Sequence, residues 1–218
     1  MEIRIVTEEG RRVDDPFLLR LAGWTEERYF CEAPESRLWE FHDGELIVHS
    51  PAKPPHQRGV RFLTFLLSGF VEEHDLGEVF NGPAVLRLRP GVDKEPDLFF
   101  LLREHRGRVG PECIDGPADL VNEVISPGTR RYDLIEKAEV YREGGVPEYW
   151  AIDRERKEVV VHRAGHPEYR VSTVSSGRLA SSSVRGFWID VEWLWKDPLP
   201  SAPACLREIL SAMKTRGG

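Results

Sequence analysis

Asp119-Leu120-Val121-Asn122-Glu123-Val124-Ile125-Ser126 is the stretch on which the reading of the chain turns. Leu120, Val121, Val124 and Ile125 are aliphatic, and Pro127-Gly128 closes the run. A short apolar run bounded by turn residues is the pattern of a strand buried on both faces. Into that run the sequence sets Glu123. An ionised carboxylate among aliphatic neighbours is costly unless a cation or a set of donors compensates it. The same eight residues therefore predict a central strand and a place where chemistry is done.

Downstream, a helix is predicted from about Arg130 to Glu143, stopped by Gly144-Gly145. Strand patterns resume at Glu148–Asp153 and Val159–His162. Upstream, residues 103–117 are polar and rich in Gly and Pro and predict an exposed loop. Three strand-like runs precede it: Glu78–Asn81, Ala84–Arg89 and Asp97–Leu102. From His56 to about Glu73, apolar residues fall at helical spacing: Val60, Leu63, Leu66 or Leu67, and Phe70 or Val71. Before that, Leu38–Phe41 and Glu45–Val48 flank Asp43-Gly44, a hairpin pattern. Residues 14–30 predict one or two short helices, with Asp14-Asp15-Pro16 and Thr25 as caps. Past residue 165 come weaker strands around 168–174 and 183–189, then helices around Val191–Trp195 and Ala204–Met213.

This mixed order predicts an α/β fold with a mixed central sheet flanked by helices. The division is an N-terminal helical segment (1–36), a core (37–165) and a C-terminal stretch (166–218) that is part of the same domain or a dimer surface. Trp188, Trp193 and Trp195 in that stretch read either as core packing or as a buried dimer face.

Composition narrows the function classes. The formal net charge of −7 argues against a protein that coats nucleic acid by charge alone. It does not argue against a metal-dependent nuclease, because acidic ligands lower the formal charge and the cation restores it locally. Three scattered cysteines, Cys31, Cys113 and Cys205, form no CxxC pair and support neither a disulfide framework nor a zinc site. No apolar run of membrane-spanning length and no signal-peptide pattern is present, so a cytoplasmic protein with no membrane partner is expected.

Asp97 opens an apolar strand run, Pro96-Asp97-Leu98-Phe99-Phe100. If its strand neighbours that of Glu123, the two carboxylates make a pair suited to a hard divalent cation. Lys137 lies on the next helix, with Asp133 and Tyr141 four residues to either side. Taken singly, each residue has a plainer reading. Asp97 can cap a turn, Glu123 can pair with Arg130 or Arg131, and Lys137 can sit on the helix surface beside Asp133.

Asp97, Glu123 and a lysine resemble the PD-(D/E)XK nuclease superfamily, the fold of many restriction endonucleases. Its usual lysine stands two residues after the acid, where this chain has Ile125; Lys137 resembles the migrated form. A narrower resemblance covers most of residues 38–163. It rests on Asp43-Gly44-Glu45, Ser50-Pro51 to His56, Pro96-Asp97, Glu123-Val124-Ile125-Ser126-Pro127, Thr129-Arg130-Arg131-Tyr132-Asp133, Lys137, Tyr141 and Gly145-Val146-Pro147-Glu148-Tyr149-Trp150. These pieces, in this order, resemble the Uma-type family of restriction-endonuclease-like proteins.

The resemblance implies a restriction-endonuclease-like fold, Mg2+ (with Mn2+ as a substitute) and hydrolysis of DNA phosphodiesters by water. It makes Asp97 and Glu123 metal ligands, with the backbone carbonyl of Val124 as another, and Lys137 the stabiliser of charge. The further acid that the superfamily often carries on its first core helix has no counterpart here. His56 stands in that place, and Glu45 on the hairpin is the other accessory candidate. Arg130 and Arg131 are candidate phosphate contacts, and Arg58, Arg61 and Arg142 also flank the site as arginines able to meet a DNA backbone. A homodimer is expected, because two antiparallel strands suit two-fold symmetry. The alternatives are a catalytically inactive nucleic-acid-binding protein and a partner-binding protein that uses the Trp-rich tail.

Overall fold

Residues 18–33, 38–165 and 169–214 are described by the computed structural model. In chain order, β1 (Leu18–Ala22) and α1 (Glu26–Glu32) precede a hairpin of β2 (Trp39–His42) and β3 (Glu45–His49). The long helix α2 (Pro54–Glu73) follows, then β4 (Gly77–Asn81), β5 (Leu86–Arg89), β6 (Val92–Lys94), β7 (Leu98–Leu102), β8 (Ile114–Asp115) and β9 (Leu120–Val124). A helical segment ending in α3 (Ala138–Glu143) leads to β10 (Glu148–Asp153), β11 (Glu158–Arg163) and β12 (Arg170–Val174). The short pair β13 (Arg178–Ala180) and β14 (Trp188–Asp190) and the helix α4 (Ala202–Lys214) are the last strands and the last helix of the described residues.

The central sheet has the order β12-β11-β10-β9-β7-β4, with β9 and β10 parallel and the other pairs antiparallel. It is the mixed central sheet, flanked by helices, that the order of elements predicted. Strand alternation divides its side chains between two cores. Leu98, Phe100, Leu120, Val124, Trp150 and Ile152 pack on the α2 side. Phe99, Leu101, Val121, Ile125, Tyr149 and Ala151 pack on the side of Tyr141 in α3. A second sheet, β1-β3-β2-β6-β5-β8, stands beside it, and Glu95-Pro96-Asp97 carries the chain from β6 in one sheet to β7 in the other.

Local chemistry accounts for most elements. Pro54 and Pro55 occupy the first turn of α2, where a missing N–H costs nothing. Its buried stripe is Val60, Leu63, Leu66, Leu67, Phe70 and Val71, joined by Gly59 and Phe62. The β2–β3 turn has positive φ at both Asp43 (43°) and Gly44 (92°), which matches the twist of a tight hairpin.

The structure corrects two expectations and bears out two others. Leu18–Ala22 is a strand, paired from Leu18–His49 to Ala22–Glu45, rather than a helix. Leu18-Leu19-Arg20-Leu21-Ala22 is too short to show a period of its own, and pairing with the open edge of β3 decides it. The cap at Asp14-Asp15-Pro16 lies outside the described residues, whereas the Thr25 hydroxyl does cap α1, accepting from the Arg28 N–H at 3.1 Å. The 103–117 stretch is more than an exposed loop: Arg103–Arg108 form 3-10 turns, and β8 pairs parallel with β5 and buries Ile114. The expected helix does start at Arg130 and run to Glu143, and its middle, Tyr132–Lys137, is a π-helical segment that buries Tyr132, Asp133 and Lys137. Such widened turns recur at functional sites.

The tail is folded into the body. Strand β12 extends the central sheet, and α4 packs on α2. Trp188 and Trp193 are buried in the α2-side core with ring centroids 5.6 Å apart, and Trp195 packs against it. Core packing is therefore the role the structure gives these rings. Among the described residues, no helix is long and apolar enough to cross a membrane.

Candidate active site

Strands β7 and β9 pair antiparallel with Leu98 opposite Asn122, so Asp97 and Glu123 stand opposite each other where the ladder ends. Their contacts interlock. Asp97 Oδ2 accepts the Val124 N–H at 2.8 Å, and Glu123 Oε2 lies 3.4 Å from the Asp97 amide. The π-helical segment brings Lys137 down onto the sheet, where its Nζ donates to Glu123 Oε1 at 2.7 Å. Tyr141 OH donates to the same oxygen at 2.7 Å. From the start of α2, His56 Nε2 lies 3.0 Å from Asp97 Oδ1. Gly59 lets this helix come close: a Cβ there would lie 3.3 Å from Arg154 Cδ and 3.6 Å from Val124.

His56, Asp97, Glu123, Val124 and Lys137 line a cavity of about 240 Å³. The structure thus brings together Asp97, Glu123, Lys137 and His56, with Val124 in the wall. Lys137 is not a surface lysine, and Glu123 takes it and Tyr141 as partners, not Arg130 or Arg131.

Three candidates are placed elsewhere. Glu45 pairs with Arg20 at 3.0 Å at the far end of the hairpin, and Arg20 also holds Glu136. Arg130 pairs with Asp153 and, at 2.9 Å, with Glu158, so its charge is spent on β10 and β11. Arg131 is exposed and lies outside the cavity wall. Spacing brought these arginines near the site in sequence, but the partner of a guanidinium is chosen by tertiary contacts.

The residue that sequence reasoning missed is Glu40. It projects from β2 with 1% of its surface exposed, and its Oε1 lies 3.0 Å from Lys137 Nζ. Its Oε2 accepts from Tyr132 OH at 2.5 Å and from Lys94 Nζ at 3.3 Å. His49 Nε2 lies 3.5 Å away. A signal existed: Trp39-Glu40-Phe41 sets a carboxylate between aromatic rings, as Val121 to Ile125 sets Glu123 among aliphatics.

The electrostatics of the cluster are unbalanced. Four buried or half-buried carboxylates, Glu40, Asp97, Glu123 and Asp133, face two ammonium groups, Lys94 and Lys137. Burial alone would raise the Glu40 pKa, but Lys137 and Lys94 overcome it and hold Glu40 well below the usual range. Burial would likewise lower Lys137, but Glu123 and Glu40 hold its ammonium charged. Glu123 is left short: burial, with Asp97, Asp133 and Glu40 behind it, pushes its carboxyl up to about 8 against the pull of Lys137. Burial and Asp97 also raise Asp133 against Lys137 and the Thr129 hydroxyl. At His56 burial acts downward, and the Asp97 hydrogen bond and charge reverse it.

The donor set fits a hard divalent cation. Asp97 and Glu123 present carboxylate oxygens to the cavity, and the surrounding carboxylates lack cationic charge. Among the described residues no group of three or more His, Cys, Asp or Glu forms a ready-made cage. A pair of carboxylates is what Mg2+ commonly takes from a protein, with water and substrate phosphate completing its shell.

The fold has a solved relative. It is similar to the crystal structure titled a putative nuclease belonging to DUF820 from Anabaena variabilis ATCC 29413, with TM-score 0.61 and 17% identity over 76% of this chain and 94% of that one. No curated protein shows a significant sequence match. The profile of the Uma2 family, described as "Putative restriction endonuclease", matches residues 25–192. That span contains Glu40, Asp97, Glu123 and Lys137, and the chain belongs to the Uma2 family of restriction-endonuclease-like proteins.

Proposed function

We propose that this chain is a Mg2+-dependent endonuclease that hydrolyses phosphodiester bonds of DNA. The observation that carries the reading is the meeting of Asp97, Glu123 and Lys137 at one cavity wall, with Glu123 pushed up to about 8 by burial and carboxylate neighbours. Asp97 and Glu123, with the Val124 carbonyl, would hold the metal, with Mn2+ as a substitute. When bound, the cation would supply Lewis acidity at the phosphate and a more acidic water.

The other roles belong to the chain. Lys137, kept charged by Glu123 and Glu40, faces the charge that grows on a phosphate oxygen. Tyr141 and the Asp97 amide orient the Glu123 carboxylate. His56 fixes Asp97 through Oδ1, and although burial acts downward, the Asp97 contact raises the pKa of its ring. Cutting both strands of a duplex calls for a homodimer, checked by sedimentation of the protein with and without DNA.

A second reading has one observation in its favour. Lys137 is already matched by Glu123 at 2.7 Å and Glu40 at 3.0 Å, as in a protein that keeps the fold without catalysis. The test is cleavage of labelled DNA in Mg2+ by the parent, Asp97→Ala and Lys137→Ala. The nuclease reading expects cutting that Asp97→Ala abolishes and Lys137→Ala slows. A parent that binds DNA and never cuts it would establish the inactive reading.

A further inference from the structure

Beside the catalytic cavity lies a second and larger hollow, of about 720 Å³. Pro55 and Arg154 belong to the walls of both, so the two spaces adjoin. One wall of the second hollow is α2, presenting Arg58, Arg61 and Phe65. The other is the segment Asp197–Pro203, which holds three prolines.

The α2 wall has a regular design. Positions 58, 61 and 65 recur at i, i+3 and i+7, so their side chains form one stripe on the helix. The stripe runs away from the cavity for about 10 Å at the α-helical rise. All three residues are exposed, and among the described residues neither Arg58 nor Arg61 is in an ion pair. Phe65 is 44% exposed and is the only aromatic ring among the exposed large hydrophobic residues described. Arg154 adds a third guanidinium, anchored by Nε on the Leu194 carbonyl at 2.9 Å and by an amino group on the Pro55 carbonyl at 2.7 Å. Against three arginines the hollow carries one acid, Asp197. In a chain of net charge −7, this concentration of unpaired positive charge runs against the composition.

Unpaired arginines in a groove match phosphate groups. An exposed ring in the same groove matches the face of a base, and that face is available only when the base is unpaired. We propose that this groove holds an unpaired stretch of the nucleic-acid strand beside the scissile phosphate, with phosphates on Arg58 and Arg61 and a base stacked on Phe65. The inference rests on the nuclease reading and sharpens it. The preferred substrate carries a single-stranded segment next to the cut, as a flap, an overhang or a free single strand does.

The test reads binding rather than cutting. A fluorescein-labelled DNA single strand and the same sequence as a blunt duplex are titrated by anisotropy, over a range of salt, with EDTA present so that neither is cleaved. The parent is expected to bind the single strand roughly tenfold tighter than the duplex. Phe65→Ala should weaken single-strand binding roughly tenfold, the low end of base stacking, and leave its salt dependence unchanged. The double variant Arg58→Ala/Arg61→Ala should weaken it and lower the slope of log K against log salt by about 1.4, two phosphate contacts at roughly 0.7 each.

The inference is overturned if both variants bind like the parent, if single strand and duplex bind equally, or if the parent binds neither. It is also overturned if sedimentation shows that these substitutions dissolve a dimer of the chain, or if an acidic protein rather than DNA occupies the groove. The nuclease reading is judged separately. Mg2+-dependent cutting that persists in both groove variants keeps that reading while this inference falls.

Discussion

Two glutamates on adjacent parallel strands of the central sheet, Glu123 on β9 and Glu148 on β10, are both almost wholly buried and differ in everything else. Glu148 is saturated. Its Oε1 accepts from Trp150 Nε1 and Arg163 Nε, each at 2.9 Å. Its Oε2 accepts from the Ser181 hydroxyl at 2.6 Å and from the Ser182 and Ser183 amides at 2.9 Å. Burial works against its charge, but the Ser181, Ser183, Trp150 and Arg163 donors prevail and hold the carboxyl below its usual range. Glu123 has a crowded Oε1, an Oε2 with one long amide contact, and carboxylates for neighbours; it is pushed up to about 8. The difference teaches how one sheet separates structure from chemistry. Where donors exceed what the carboxylate needs, it ties the tail to the sheet. Where they fall short, it keeps capacity for a cation or a proton.

The largest effect expected from this contrast is on activity. Glu123→Gln should lower the cleavage rate by about 100-fold or more, on the scale of removing one charge-stabilising group. It should leave stability equal or higher at neutral pH, since it removes a carboxylate whose charge is poorly compensated. Cleavage kinetics and urea unfolding on the same preparation check both halves, and a strongly destabilised Glu123→Gln would break the comparison.

Next in size is Glu148→Ala, expected to cost about 3–5 kcal/mol, because it strands Arg163 and four further donors. Urea midpoints measure this.

The pH dependences should run in opposite directions. Glu148 has a folded pKa below its ordinary 4.5, so its contribution is full above that value and is lost as pH falls through the folded pKa. For Glu123, raised to about 8, stability is full below about 4.5 and is lost as pH rises toward 8. Metal-free parent should therefore lose stability relative to Glu123→Gln across that upper window. Thermal melts from pH 4 to about 8 would show the two curves separating, and parallel curves would refute the assignment. The smallest effect is Ser181→Ala, about 1 kcal/mol, since four donors to Glu148 remain; a shift in the unfolding midpoint reads it.

The parts legible in the sequence were those where local pattern and burial agree. Val121 to Ile125 could only be a central strand, and Glu123 within it could only be a compensated charge. Asp97 followed from its place at a strand start, and Lys137 from its place on the next helix together with the resemblance. Glu40 has the same signature as Glu123, but in a short hairpin strand an alternating Glu is ordinarily the solvent-facing residue. What turns it inward is β6, which pairs with β2 and brings Lys94 beside it. That strand was hidden because Val92-Asp93-Lys94 reads as polar, whereas Asp93 and Lys94 are wholly buried. The strand Leu18–Ala22 and the partners of Arg130 were settled by contacts distant in sequence, which no local pattern encodes.

The most direct test of the central claim, that Asp97 and Glu123 form a cation site, is calorimetric titration of Mn2+ into the parent and into Asp97→Ala. The account predicts binding by the parent that disappears in Asp97→Ala while the variant stays folded. A parent that takes up no Mn2+, alone or with DNA, or an Asp97→Ala protein that binds it as the parent does, would contradict it.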